Sequence, residues 1–314
     1  MDELISVIVP ILNTDPRALD CCLSCIQFQT YRNIEVLCVD GGSYLPTLDI
    51  IDKYLRDERF KLIKTCSGVS HQRNTGIDHC SGSYILFIDS DDYFNYDFIS
   101  LLYKCIKKSG ADVAIPLLHR CVYQNDTLIS DVQYDAGPVN ETITMQNFFK
   151  HVRSGELVNP VKLYNRKKIG KTRFDTNYSY GEDLLFNFEL SKKEFSSCFS
   201  PDAIYYYRVI SNTNSGERRF NTKGWNIVKR ISSIIRSKEI TMKEAVEGLY
   251  NEFDFVFTTF YYAFARQKNI KMLVWMIQFK SLYLKRHRNI HDILFMLFPV
   301  LIVAWRNRGK TKNR

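Results

Sequence analysis

The sequence predicts an α/β protein: a mainly parallel, Rossmann-like sheet flanked by helices, followed by a helical C-terminal region. Two patterns carry this expectation. Short β-branched apolar runs alternate with helical stretches between positions 4 and 117, the rhythm of βαβ units. Two polar clusters, 40–43 and 89–92, fall where such runs stop, and open parallel sheets bind ligands beyond the carboxyl ends of their strands.

The first run, 4–10 (LISVIVP), reads as a buried strand stopped by Pro10. Residues 16–29 have helical spacing with Pro16 in the first turn. A second strand at 34–39 ends in Asp40-Gly41-Gly42-Ser43, and a helix over 45–57 leads to a third strand at 60–65. A helix over 69–80 precedes a fourth strand at 83–88, which ends in Asp89-Ser90-Asp91-Asp92. Phe98, Ile99, Leu102, Cys105 and Ile106 form the apolar stripe of a helix over 97–108, and 112–117 is a fifth strand. The segment 120–180 is polar and irregular and is expected to cover the sheet and help form an acceptor site. Residues 182–194 read as a helix, as do 244–266 and 270–286; Ile227, Val228, Ile231, Ile234 and Ile235 form a further stripe. The expected division is a catalytic domain over 1–220, a helical region over 221–290 and an apolar, basic tail over 291–314.

Composition narrows the function. The chain has 314 residues and a formal charge of +9, but nine Lys and Arg lie from Lys280 onward against one acid, Asp292. The rest is nearly neutral, so no basic stripe marks a nucleic-acid partner. Residues 293–305 are thirteen successive apolar residues with basic flanks and Trp305 at the edge. That is too short for a normal bilayer span and fits peripheral attachment to an anionic, cytoplasmic membrane face. A buried helix or an oligomer contact explains the same run, and oligomeric state is open. The nine cysteines are scattered and no secretory signal precedes the first strand, so reduced thiols in the cytoplasm are expected. Cys22 shares a helix face with Leu19, Leu23 and Ile26, which favours core packing over a metal site. His71, His79 and His119 lack metal spacing.

Asp89, Asp91 and Asp92 put three carboxylates within four residues. Their repulsion calls for a cation or hydrogen-bond donors, and hard oxygen ligands suit Mg²⁺ or Mn²⁺. The plain alternative is a solvated acidic turn at the start of a helix.

Several segments, taken in order, resemble glycosyltransferase family 2. Val7-Ile8-Val9-Pro10-Ile11-Leu12-Asn13 is similar to its opening strand and Val39-Asp40-Gly41-Gly42-Ser43 to its second motif. Gly68 to Gly76 (GVSHQRNTG) and Gly82 to Asp92 (GSYILFIDSDD) resemble its third motif and its metal-binding stretch. Tyr180-Gly181-Glu182-Asp183-Leu184-Leu185-Phe186 resembles the segment with the catalytic base. The resemblance covers residues 4 to about 210. It implies a GT-A type fold, a nucleotide-diphosphate sugar donor and transfer with inversion.

Carried onto this chain, the resemblance implies that Asp40 contacts the nucleoside. It also implies that Asp89, Asp91 and Asp92 hold Mn²⁺ or Mg²⁺, and that Arg73 and Asn74 lie near the donor. Pro10, Asn13 and Ser90 join the donor-binding set. Asp183 is the implied base, with Glu182 supporting the helix or touching the acceptor; two acids in a first helical turn also suit the macrodipole. The family usually has two consecutive acids in the second motif, and here the second is Gly41, so the nucleotide preference, UDP by default, is less firmly implied. The implied acceptor is a saccharide, lipid-linked as in surface polysaccharide assembly. Two rivals remain: a sugar-1-phosphate nucleotidyltransferase, against which Ile11 to Arg17 lacks a Gly-rich basic loop, and a non-catalytic sugar-nucleotide-binding protein.

Overall fold

The structure is a computed structural model. It describes residues 2–134, 140–145, 147–148, 159–178 and 181–210. The sequence-predicted helices beyond 222, the boundary near 220 and the apolar tail lie outside the described residues.

Ten strands form one sheet in the order β3-β2-β1-β4-β9-β6-β10-β5, with β7 on β6 and β8 on β10. The elements run β1 (Ile5–Ile11), α1 (Pro16–Gln27), β2 (Ile34–Asp40), α2 (Leu45–Tyr54), β3 (Phe60–Lys64), α3 (Val69–His79) and β4 (Tyr84–Phe87). Then come β5 (Tyr93–Phe94), α4 (Phe98–Ser109), β6 (Val113–Gln124), β7 (Thr127–Tyr134), β8 (Thr142–Ile143) and β9 (Leu163–Asn165). The last are α5 (Arg166–Ile169), α6 (Glu182–Ser191) and β10 (Phe195–Ile210). β3, β2, β1 and β4 are parallel, as are β6 and β10; β9 is antiparallel to both β4 and β6. The predicted α/β sheet is therefore present, with an antiparallel strand joining its two parallel parts.

Both faces of β1 are covered, which is why it reads as an unbroken apolar run. Val7, Val9 and Ile11 pack with α1, α2 and α4, including Leu19, Cys22, Leu23 and Ile26. Ile8 faces the other core with Ile77, Phe87, Leu184 and Phe186. A Cβ on Gly76 would overlap the Ile8 side chain, so this glycine lets α3 lie close on β1. β1 does not stop at Pro10 but continues to Ile11. The β1–β4 ladder ends at Ile8↔Phe87, and the missing N–H of Pro10 falls beyond it, where no ladder bond is lost.

The larger departure lies after residue 117. β6 runs on to Gln124 and turns back into β7 through Asn125 and Asp126, both with positive φ, the backbone of a tight hairpin turn. β10 adds sixteen residues alongside β6. The 120–180 segment is thus partly an ordered sheet extension. The helix expected over 182–194 ends at Ser191, and β10 begins at Phe195 after Glu194 turns with φ 48.

Candidate active site

The site is built on loops at the carboxyl ends of β1, β2 and β4 and on the N-terminus of α6. Asp40 is the last residue of β2 and is 3% exposed. Its carboxylate accepts the N–H groups of Gly42 (3.2 Å) and Ser43 (2.9 Å), which fixes its own turn. Asn13, at φ 50, ties the neighbouring loop to it: its N–H donates to Ser43 Oγ, and its Oδ1 accepts the Tyr44 N–H, both at 2.9 Å. Gln72 is buried and donates to the carbonyls of Ile11 and Val39 at the ends of β1 and β2. A Cβ at Gly41 would lie 3.0 Å from Gln72 Nε2. Glycine at this position therefore leaves the space that Gln72 fills. The Ser90 hydroxyl shares a 2.7 Å hydrogen bond with Thr14, joining the β1 loop to the acidic loop.

The four residues of that acidic loop have different fates. Asp91 is exposed and Asp89 half-buried. Asp92 is fully enclosed, its Oδ2 accepting the Tyr205 hydroxyl and its Oδ1 the Arg208 N–H, both at 2.7 Å. Burial, then the nearby Asp91 and Asp89 charges, push its pKa well up. Of the three aspartates expected to ligate a metal, Asp92 has no oxygen facing solvent. Tyr205 also accepts the Asp89 N–H at 3.2 Å, so one hydroxyl braces the loop at two places. Among the described residues, no three His, Cys, Asp or Glu side chains come together as a metal cage.

Arg73 lies on α3 and is 3% exposed. Its Nη2 donates to Asp89 Oδ1 at 2.9 Å and its Nη1 to Glu182 Oε1 at 3.0 Å, with Asp183 Oδ1 3.9 Å from Nη1. Its guanidinium sits over the Phe174 ring at 5.2 Å. Burial opposes the Arg73 charge, but Asp89, Asp183 and Glu182 outweigh it and raise its pKa. Glu182 and Asp183 open α6 after Gly181, at φ 72. Asp183 keeps 23% of its side chain exposed. Crowding by the protein, then Glu182, hold its pKa well above the ordinary carboxylate range, against the pull of Arg73. A carboxyl so placed is suited to proton transfer.

Residues 6–170 match the family described as Glycosyl transferase family 2. The chain belongs to glycosyltransferase family 2. The family 2 chain is 30% identical over 234 residues to "Glycosyltransferase GlyA" of Streptococcus pneumoniae serotype 4, covering 72% of this chain and 33% of that one. It is 28% identical to "Uncharacterized glycosyltransferase EpsJ" of Bacillus subtilis over 68% of this chain and 63% of that protein. It therefore spans less than two thirds of the length of either relative. Its fold is like that of S. aureus TarS 1-349 in complex with UDP-GlcNAc, with TM-score 0.66 and 21% identity over 89% of this chain and 80% of that one.

In this family 2 chain, Asp89, Arg73, Glu182 and Asp183 come together, though they are scattered over more than a hundred positions in sequence. Asp40 and Asn13 form a second group at the β1–β2 corner, and Pro10 lies in β1 just before it. Asn74 is placed otherwise. Its amide donates to the Phe174 carbonyl and accepts the Phe174 N–H, both at 2.8 Å, which ties α3 to the segment before α6. Sequence reasoning missed Gln72, Tyr205 and Arg208. Gln72 lies within the Gly68 to Gly76 segment; Tyr205 and Arg208 carried no signal, because their partner Asp92 is more than a hundred residues away. Among the described residues no helix is long and apolar enough to cross a membrane.

Proposed function

We propose that this protein transfers one sugar from a nucleotide-diphosphate sugar, by default a UDP-sugar, to a hydroxyl of a saccharide acceptor. Transfer inverts the anomeric carbon. The acceptor is lipid-linked, in surface polysaccharide synthesis. The observation that carries the reading is Arg73, whose one buried guanidinium joins Asp89 of the acidic loop to Glu182 and Asp183. The two halves of a transfer site, one for a leaving diphosphate and one for an attacking hydroxyl, share a single anchor. The UDP-GlcNAc complex of TarS supports the donor class.

Asp89 and Asp91 fit a divalent ion by their chemistry. They are hard-oxygen donors, and Mg²⁺ in particular is commonly held by one or two carboxylates together with substrate phosphates. Such an ion, when bound, would supply positive charge against the departing diphosphate. Asp92 holds the loop rather than ligating. Asp40, Asn13 and Pro10 frame the nucleoside corner. Asp183 takes the proton of the acceptor hydroxyl as that oxygen bonds to the anomeric carbon. The bond from that carbon to the diphosphate oxygen breaks, and its electron pair leaves with the nucleotide. No enzyme nucleophile takes part, so the configuration inverts. Arg73 fixes the direction of Asp183 and keeps its negative charge tolerable. The basic, apolar stretch near 293–305 supports contact with the inner face of the membrane, and deletion of 290–314 is expected to release the protein from the membrane fraction.

The test is a panel of nucleotide sugars with Mn²⁺ and saccharide acceptors, read by nucleoside diphosphate release and product stereochemistry. Release of UDP with an inverted product is expected. Release of pyrophosphate from UTP and a sugar 1-phosphate, or no turnover with any donor, would overturn the reading.

A further inference from the structure

Both hydrogen bonds to the Asp92 carboxylate come from β10, and the acidic loop runs directly into a very short strand that pairs with β10. β5 begins directly after Asp92 and has two residues, pairing as Tyr93↔Tyr206 and Phe94↔Tyr205. Asn95 extends the junction at the end of β5 away from the carboxylates, its N–H donating to the Ile204 carbonyl, its Oδ1 accepting the Ile204 N–H and its amide donating to the Asp202 carbonyl. A slip of β5 would move Asp92 away from both Tyr205 and Arg208.

A row of rings crosses this junction. Tyr93, Tyr206 and His119 are register neighbours on β5, β10 and β6, and so share one sheet face. Tyr93 stacks on Tyr206 with ring centres 4.8 Å apart and planes within 8°. His119 packs on Tyr206 at 5.3 Å, and its Nδ1 lies 2.9 Å from Asp131 on β7. Two residues along β10, the Arg208 guanidinium lies 5.3 Å from the centre of Tyr93 and 5.5 Å from that of Tyr123. The hydroxyls of Tyr93 and Tyr123 share a 2.8 Å hydrogen bond. Arg208 Nε is buried without a hydrogen-bond partner, and the guanidinium lies against the two rings and beside the Cys21 thiol. The same residue gives its backbone N–H to Asp92.

We propose that the row His119, Tyr206, Tyr93, Arg208 and Tyr123 is a positioning device that sets the acidic loop. It locks β5 in register on β10, so that Asp92 stays turned inward and Asp89 and Asp91 face the site. The inference rests on the reading of Asp89 and Asp91 as cation ligands. None of the five residues is a catalytic residue; they act through Asp92.

The test uses the full chain and counts bound Mn²⁺ in the presence of UDP from the loss of the free-ion paramagnetic resonance signal. Tyr93→Leu removes the ring and keeps an apolar side chain. Tyr93→Phe keeps the stack and removes only the bond to Tyr123. Arg208→Lys keeps the charge and the backbone N–H but not the planar group. Tyr93→Leu and Arg208→Lys are expected to weaken Mn²⁺ binding about tenfold, the range for residues that orient metal ligands, with Tyr93→Phe within about twofold of the original. Turnover of the weakened variants recovers as Mn²⁺ is raised to saturation. Unchanged Mn²⁺ binding in Tyr93→Leu and Arg208→Lys overturns the inference, as does a Phe variant as impaired as the Leu variant. If the unsubstituted protein binds no more Mn²⁺ than Asp91→Asn, the cation reading fails and the inference falls with it.

Discussion

The Arg73 guanidinium and the Asp89 carboxylate meet at 2.9 Å, and the same guanidinium reaches Glu182 at 3.0 Å. A loop that follows β4 and a helix that begins almost a hundred residues later are thereby fixed to one point on α3. Planar Arg suits two carboxylates at once; a single ammonium does not.

Arg73→Ala leaves Glu182 and Asp183 without their cation in a crowded setting. Breaking a buried pair in this way costs about 3–5 kcal/mol. Unfolding in urea is expected to register that loss, together with a drop in turnover. Arg73→Lys should restore much of the stability but little of the turnover, because one nitrogen cannot span both partners. Equal recovery of both would show that charge alone matters at this position.

The raised pKa of Asp183 has a direct kinetic consequence. Asp183 as the proposed base must be ionised, so the rate is expected to rise with pH through its pKa. The acid limb of the rate profile is expected above the ordinary Asp value of about 3.9. Burial and Glu182 are the leading causes of the upward shift. Glu182→Gln removes the like charge and leaves Arg73 to Asp183, so the limb should move to lower pH. A limb that stays in place, or moves up, assigns the titration to another group.

Gly41 and Gln72 should behave as a pair. Gly41→Asp would press its Cβ on the Gln72 amide, 3.0 Å away, and loosen the bonds to Ile11 and Val39. Losing buried hydrogen bonds costs about 1–3 kcal/mol. In the background of Gln72→Ala, itself destabilising, Gly41→Asp should cost markedly less. Strict additivity of the two changes in urea unfolding would refute the coupling.

Glu35 reports on the opposite, amino end of the strands. Burial opposes its ionisation, but the Ser6 hydroxyl, the Ser81 N–H and hydroxyl, and Lys61 outweigh burial and bring its pKa down to about 2. A depressed folded pKa gives stability that is complete above the unfolded value, about 4.3, and fades as pH falls toward 2. Wild type is therefore expected to exceed Glu35→Gln by on the order of 2 kcal/mol at neutral pH, and the gap should close between pH 4.5 and 2. A gap that persists at the acid end would mean that the carboxylate charge is not its source.

The sequence was most legible where the physics is local. From β1 to α4, short buried strands and one-sided helices alternate, and each pattern survives in a few residues. The β6–β7 hairpin was not legible. Its turn, Asn125-Asp126, contains no glycine, and β6 has no simple alternation because both its faces are partly covered. β10 was hidden by Pro201 and by a register shift between Ser200 and Ile204. The acidic loop was legible as a cluster, but adjacent aspartates look alike in sequence. Only the fold separates exposed Asp91 from enclosed Asp92, because the groups that enclose Asp92 sit on β10. Asn74 was equally opaque: its backbone partner, Phe174, is a hundred residues on.

The most direct test of the account is calorimetric titration of UDP into the protein with Mn²⁺, repeated on Asp91→Asn and Asp183→Asn. The account predicts UDP binding that falls at least about tenfold in Asp91→Asn and is retained in Asp183→Asn, which nevertheless loses transfer by a factor of about 10² or more. Equal UDP affinity in all three proteins with and without Mn²⁺, or full transfer by Asp183→Asn, would contradict it.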